Sequence, residues 1–415
     1  MTQQIQSDII NNQIPDGWVE TTLGEVVKIF TGESFKGNLY EPSGSLRVIR
    51  GENVSEGFLR WDTIKYWNHS TQNLGKYFLQ EDDIVIGMDG SKVGKNRSMI
   101  REKDLPLILA QRVACLRSIS TLSNQHYIAH LILNKNFEQY VVKIHTGTSI
   151  PHISQNQIAN YPIILPPILE QKNIATLLSS FDNKIELLRE ENKTLEQTAQ
   201  TIFQEWFGKY DIENELPEGW RVGKLGEEFN ISIGRTPPRV ESQWFSNVPI
   251  GKKWISIKDI GNCGVYIFDT SEYLTDESIK KFNIPVIPEN TTILSFKMTV
   301  GKLTITTEEM LSNEAIAHLK IRDNSDLTSE FIYCYLQALD FNSLGSTSSI
   351  VTAINSTIIK AIEIIVPDEG TLGKFNSLIK PIFEKIKNNS KQIQSLSQTR
   401  DELLPKLMKG EVRTI

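Results

Sequence analysis

The chain has 415 residues, with 44 Lys and Arg against 50 Asp and Glu and a formal net charge of −6. That length leaves room for two or three domains. The balance does not advertise a nucleic-acid binder, although a neutral domain can bind DNA if its basic groups lie on one side. No apolar run of 18 residues predicts a membrane helix. The N-terminus, MTQQIQSDIINNQIPDGW, has neither the basic start nor the apolar core of a signal peptide, and Cys115, Cys263 and Cys334 are isolated, which fits a reducing cytosol and argues against structural zinc.

In chain order, residues 1–13 are read as an N-terminal extension with no recognisable motif. A first globular domain is expected over 14–165. It opens with IPDGWVETTLGEVVKIFTG, from Ile14 to Gly32. Pro-x-Gly-Trp reads as a turn delivering a large ring into a core, and Leu-Gly-Glu as a short helical turn leading into a strand. Short Val/Ile/Phe/Tyr-rich runs then alternate with Gly, Asn and Asp turns, which predicts twisted sheet with a few helices. Tyr127-Ile128 opens a helical segment, and Ile163-Ile164-Leu165-Pro166 closes the domain as a strand.

A long helix is expected over 166–210. Ile174, Leu178, Phe181, Ile185, Leu188, Asn192, Leu195, Ala199, Ile202 and Trp206 recur in alternating steps of four and three, the seam of a coiled coil. A helix of about 38 residues spans roughly 57 Å and needs a partner. Residues 161–215 carry ten acidic and five basic groups, a solvated face or a surface for another subunit.

A second domain over 216–366 repeats the first. LPEGWRVGKLGEEFNISIG (Leu216–Gly234) matches the opening of the first domain. Pro15, Gly17, Trp18, Leu23, Gly24, Glu25, Ile29 and Gly32 meet Pro217, Gly219, Trp220, Leu225, Gly226, Glu227, Ile231 and Gly234 at a single offset. Val93-Gly94-Lys95 returns as Val300-Gly301-Lys302, and Arg112-Val113-Ala114-Cys115-Leu116 as Ala315-Ile316-Ala317-His318-Leu319. The domain middles diverge, which suggests two sites of related kind and different specificity.

The chain ends in a distal helix and tail, 367–415. Leu372, Phe375, Ile379, Ile382, Ile386, Asn389, Ile393, Leu396, Arg400, Leu403 and Leu407 carry a second seam. One common offset takes Phe181, Ile185, Leu195 and Ile202 to Ile382, Ile386, Leu396 and Leu403. Pro381 is expected to start or kink this helix, and Pro405 to end or kink it. The helix-pairing set is therefore Ile174, Leu178, Phe181, Ile185, Leu188, Leu195 and Ile202 with Phe375, Ile379, Ile382, Ile386, Ile393, Leu396 and Leu403. The fold class is α/β (α+β): two tandem globular domains separated by two long helices that pair as an antiparallel coiled coil, with an internal pseudo-two-fold repeat. Such pairing would push the domains to opposite ends.

These pieces carry a family resemblance. Pro-x-Gly-Trp…Leu-Gly-Glu at each domain start, Leu-Pro-Pro-x-x-Glu-Gln at Leu165–Gln171, and RDELLPKLMKGEV from Arg400 to Val412 together resemble the specificity subunit of type I restriction–modification systems. The second helix departs from the pattern, opening with Pro-Asp-Glu-Gly-Thr-Leu-Gly. The resemblance implies target recognition domains that each bind half of a bipartite double-stranded DNA site. It implies helices that fix the gap and bind two adenine methyltransferase subunits, and motor–nuclease subunits joining for cleavage. It also implies no catalysis on this chain, with S-adenosylmethionine, Mg²⁺ and ATP on the partners, and a cytoplasmic location with no membrane partner. A coiled-coil scaffold spacing two protein-binding domains is the alternative.

The residues give catalysis little footing. No Asn-Pro-Pro-[Phe/Tyr] motif and no G-x-x-x-x-G-K-[ST] cradle occurs. His126 and His130 lie four apart, as ligands on a helix can, but read as a helix face. Glu81, Asp82, Asp83, Asp89 and Lys92 sketch a nuclease cluster that the second copy lacks, so a solvated turn is expected there. No catalytic or metal residue is assigned.

Direct readout needs Arg, Lys, Asn, Gln, Ser and Thr on loops reaching base edges. The expected DNA-binding residues of the first domain are Lys36, Arg47, Arg50, Asn53, Lys92, Lys95, Arg97, Arg112, Thr148, Ser149 and His152. Those of the second are Arg235, Thr236, Arg239, Lys252, Lys253, Lys258, Lys297, Lys302, Ser346, Ser348 and Ser349.

Overall fold

The computed structural model describes residues 14–146, 150–297, 299–323, 325–341 and 355–414. The first repeat runs β1 (Val19–Thr22), α1 (Leu23–Val26), β2 (Val27–Thr31), β3 (Arg47–Ile49), β4 (Ile84–Gly87), β5 (Arg97–Met99), β6 (Leu107–Leu109) and β7 (Val113–Ser118). It continues through α2 (Gln125–Ile132), α3 (Lys135–Ile144), α4 (Gln155–Ala159), β8 (Pro162–Leu165) and α5 (Ile168–Phe207). The second repeat begins β9 (Arg221–Lys224), α6 (Leu225–Glu228), β10 (Phe229–Ile233), β11 (Phe245–Ser246), β12 (Lys252–Ile255) and α7 (Ile257–Asn262). Then come β13 (Tyr266–Ile267), β14 (Glu272–Leu274), α8 (Asp276–Lys281), β15 (Thr292–Ser295), β16 (Leu303–Thr306) and β17 (Leu311–Ser312). It closes with β18 (Ile316–Ile321), α9 (Ser329–Ala338), α10 (Ser356–Ala361), β19 (Glu363–Val366) and α11 (Glu369–Met408).

The chain folds as two compact units: residues 1–184 with 396–415, and residues 185–395. In the first, the main sheet has the order β2-β7-β4-β5, all antiparallel. In the second, the corresponding order is β10-β18-β15-β16, with β13 added in parallel at the edge. The register also repeats: Ile29 faces Leu116, and Ile231 faces Leu319. Each unit adds a smaller lobe built on a parallel pair, β3–β6 in the first and β12–β17 in the second, where β14 and β11 extend it to four strands.

The shared motifs explain this frame. The Trp18 N–H donates to the Pro15 carbonyl at 3.0 Å, and Trp220 to Pro217 at 3.0 Å. Gly17 and Gly219 hold φ of 81° and 83°, the left-handed region that a turn needs and a side chain disfavours. Gly32 and Gly234 are required by space: an added Cβ would lie 2.2 Å from the Leu109 carbonyl or 2.2 Å from the Ser312 carbonyl. The closing strands return to the opening ones, β8 on β1 and β19 on β9, both antiparallel.

The long helices supply core to both units, and they pair antiparallel. In the first unit the start of α5 (Ile174, Leu178) shares a cluster with the end of α11 (Leu403, Leu404, Leu407, Met408). In the second the end of α5 (Ala199, Phe203, Phe207) packs on the start of α11 (Leu372, Phe375, Ile379, Phe383, Ile386). Of the expected seam, Ile174, Leu178, Ile185, Leu188, Phe375, Ile379 and Ile386 are buried, while Phe181, Leu195, Ile202, Ile382, Ile393, Leu396 and Leu403 are half-buried. Near the domain the burial drifts from Ile202 and Trp206 to Phe203 and Phe207, because α9 presents Phe331 and Tyr335 to that side.

Neither proline bounds the second helix, which corrects the expected start at Pro381 and end at Pro405. α11 starts at Glu369 and runs unbroken through Pro381 and Pro405. Its true start is capped by Asp368, whose carboxylate accepts the Thr371 N–H at 3.1 Å. Pro381 sits on the exposed face of an otherwise buried-seam helix. There the packing of Ile379, Phe383 and Ile386 outweighs one missing backbone bond.

Candidate nucleic-acid interface

The antiparallel order brings four strand ends together at one edge of each main sheet. In the first unit Thr31 faces Ala114, Gly87 faces Val113 and Ile86 faces Arg97. The β4–β5 turn, with Lys92 and Lys95, and the Gln111-Arg112 turn before β7 therefore lie at the same end. In the second unit Ile233 faces Ala317, Ser295 faces Ile316 and Leu294 faces Leu303. That gathers Lys297, Lys302, Arg235, Thr236 and the Asn313-Glu314 turn.

The first-unit end is ordered by Asp89. Its carboxylate binds both Arg112 and His152. Burial raises the Asp89 pKa, but these two hydrogen bonds outweigh it and hold the carboxyl below its ordinary value. Arg112 is presented by a left-handed backbone, φ 66°, with its side chain largely exposed. Lys95 pairs with Glu138 at 3.3 Å. Lys36 and Lys92 are exposed, and their side chains make no polar contact among the described residues.

Two expected DNA contacts are instead interior. Asn53 is 1% exposed; it accepts the Arg50 N–H at 3.0 Å and donates to the Arg60 carbonyl at 3.1 Å, closing a local turn. Arg97 is 2% exposed and donates to the Gly94 carbonyl at 2.6 Å, with Phe137 below its plane. Burial lowers its pKa, and Glu138 partly offsets that. Neither side chain can reach a groove, because each is committed to backbone carbonyls. Arg47 and Arg50 sit in the small lobe, Arg47 over Trp61 and on the Asp104 carbonyl, Arg50 on the Thr63 carbonyl at 2.8 Å.

The second unit is more heavily paired. Arg239 makes two bonds to Glu272, at 2.6 and 2.9 Å, and lies over Phe245 and Trp254. Lys252 pairs with Glu309, and Lys253 with Glu308 at 2.6 Å. Thr236 donates to Glu314, and Arg235 donates to the Phe282 carbonyl at 3.2 Å. Lys258, Lys297 and Lys302 are exposed, and the side chains of Lys258 and Lys302 make no polar contact among the described residues. Thr148, Ser149, Ser346, Ser348 and Ser349 lie outside the described residues.

The acidic cluster seen in the sequence is split by the fold. Asp83 is 2% exposed and bound twice by Arg117, at 2.8 and 2.6 Å, whereas Asp89 belongs to the opposite end of β4. His126 approaches Asp82 at 3.2 Å and His130 approaches Asp182 at 4.0 Å, so the two histidines face different carboxylates. Among the described residues no group of three or more His, Cys, Asp or Glu is placed to hold a metal, and no helix is long and apolar enough to cross a membrane.

Comparison with known proteins gives the same plan a family. The type I restriction modification DNA specificity domain matches twice, over residues 15–197 and 217–398. The chain belongs to the type I restriction–modification DNA specificity family. The MjaIX specificity subunit of Methanocaldococcus jannaschii is 30% identical over 309 residues, 69% of each chain. The HindI specificity subunit of Haemophilus influenzae is 24% identical, over 95% of this chain and 99% of its own. In fold, the type I S subunit from M. genitalium matches with a TM-score of 0.60 at 18% identity, covering 96% of this chain and 97% of that one. As a specificity subunit this chain is non-catalytic, and the active sites of the system lie on partner subunits.

The same sheet ends also carry exposed Gln111 in the first unit and exposed Glu314 in the second, which the basic-residue reading passed over. Their signal was the repeat itself: Gln111-Arg112 aligns with Glu314-Ala315, an exposed polar residue beside the first residue leading into each equivalent strand.

Proposed function

We propose that each globular domain, 14–165 and 216–366, is a target recognition domain that binds one half of a bipartite, asymmetric double-stranded DNA site. The observation that carries this is the repeated sheet end, which gathers exposed Lys92, Lys95 and Arg112 in one copy and Lys297, Lys302 and Arg235 in the other. Lysines and arginines there neutralise phosphates and position the protein, while the turn residues between them reach base edges. The free cations of the small lobes, Lys36 and Lys258, extend the phosphate-contacting surface.

The two 40-residue helices, each roughly 60 Å at ~1.5 Å per residue, set the gap between half-sites and dock two methyltransferase subunits. Exposed Leu169, Leu187 and Leu378 on these helices support docking by apolar contact. Motor–nuclease subunits join this core for cleavage. S-adenosylmethionine, Mg²⁺ and ATP are bound by those partners, and the assembly works in the cytoplasm.

The test is selection from a random duplex library by the chain assembled with its methyltransferase. The reading expects enrichment of two short motifs separated by a fixed gap, with affinity that falls steeply as salt rises. Enrichment without a fixed gap, or binding insensitive to salt, contradicts it.

A further inference from the structure

We propose that Glu314 is a base-reading residue of the second domain, its carboxylate accepting a hydrogen bond from the exocyclic amino group of a cytosine in the major groove. This rests on the DNA-reading function proposed above and names what one position of it reads.

The case begins with place. Glu314 is exposed on the turn that leads into β18. Backbone bonds fix that turn from three sides: the Arg235 N–H donates to the Ser312 carbonyl at 2.9 Å, the Asn313 N–H to Ile255 at 3.1 Å, and the Phe296 N–H to Ala315 at 3.0 Å. The turn therefore sits between the β10 exit and the β15–β16 turn, at the centre of the sheet end. Below it Ser312 bonds buried His318 at 2.6 Å, which stiffens the support.

Charge makes the case sharper. A carboxylate at the middle of a phosphate-binding surface repels the backbone it must approach, so electrostatics alone would exclude it. A carboxylate is nevertheless the side chain that accepts from cytosine N4. The Thr236 hydroxyl donates to one oxygen, which orients the group and leaves most of its acceptor capacity open. Burial raises the Glu314 pKa; the bonds from Thr236 and its own backbone N–H, with Lys297 and Arg239 nearby, outweigh that and keep it charged at neutral pH.

The repeat supplies the contrast. The equivalent turn of the first domain carries Gln111 and Arg112, which donate hydrogen bonds. Donors suit adenine and guanine edges, whereas Glu314 offers acceptors alone. One frame thus reads two chemically different half-sites.

The experiment is a base-resolution adenine-methylation map directed by the chain with its methyltransferase, comparing the unsubstituted chain with Glu314→Gln and Glu314→Ala. Glu314→Gln is near-isosteric and keeps the Thr236 contact. We expect one G·C position in one half-site to lose at least about fivefold of its preference in both variants, with the other half-site unchanged. Glu314→Gln should also admit adenine at that position. An unchanged motif, a loss spread evenly over both half-sites, or an affected half with no G·C pair overturns the assignment. If the unsubstituted chain directs no motif, the DNA-specificity reading itself falls.

Discussion

Replacing Glu170 should loosen the first unit and leave the second untouched. Glu170 lies in the first turn of α5, 7% exposed. One carboxylate joins three distant parts of the chain. It accepts the Trp18 Nε1–H at 3.1 Å, and Arg413 grips it at 2.6 and 2.9 Å from the C-terminal tail. In Glu170→Ala the Trp18 N–H, on a ring 5% exposed, loses its partner, which costs ~1–3 kcal/mol. Arg413 is 42% exposed, so its freed charge turns to water and adds at most ~1 kcal/mol. A total near 2 kcal/mol corresponds to roughly 30-fold faster exchange of globally protected amides. The assay is native-state hydrogen exchange, read at Ile84–Gly87 for the first unit and Thr292–Ser295 for the second. Equal protection in both units, or loss mainly in the second, would refute the account of Glu170 as the clasp of the first.

Three further expectations are as direct. Burial lowers the His130 pKa to about 4, against the pull of Asp182, and lowers that of His318 to about 3. Both groups bind fewer protons folded than unfolded, so stability is fully present above the ordinary His range. It then declines as pH falls from ~6.5 toward 4, by up to ~1.4 kcal/mol per unit per histidine; a denaturation series across that range should show it. Asn192 and Asn389 face each other's helices through Ser390 and Glu191 at 3.1 and 2.9 Å, and each leaves its Oδ1 buried without a partner. Leucine at both positions should stabilise the second unit by ~1–2 kcal/mol, measured by slower exchange in α5 and α11, and a loss of stability would contradict the packing described. Lys92→Ala should weaken binding to the selected duplex evenly across sequences and reduce the salt slope by about one, as read by anisotropy titrations.

The frame was legible because it is written twice. Identical Pro, Gly and Trp spacings exposed the repeat, and two heptad seams exposed the helices, down to Asn192 and Asn389 within them. Pro381 misled as a helix start because local chain chemistry argues for a boundary there, while the apolar residues around it are fixed by α9 and β13, which are distant in sequence. The site was harder. A basic residue in a turn-rich stretch reads as surface, yet Arg97 and Asn53 satisfy carbonyls inside the domain, and that commitment depends on tertiary neighbours. Searching for cations also passed over Glu314, since an acidic residue counts against DNA until its place on the sheet end is known.

The measurement that bears most directly on the central claim is an adenine-methylation map of a host with no systems of its own, expressing the cognate methyltransferase with and without this chain. The account predicts an asymmetric, gapped motif that appears only when the chain is present. Soluble complex with no chain-dependent motif, or a symmetric ungapped one, would contradict it.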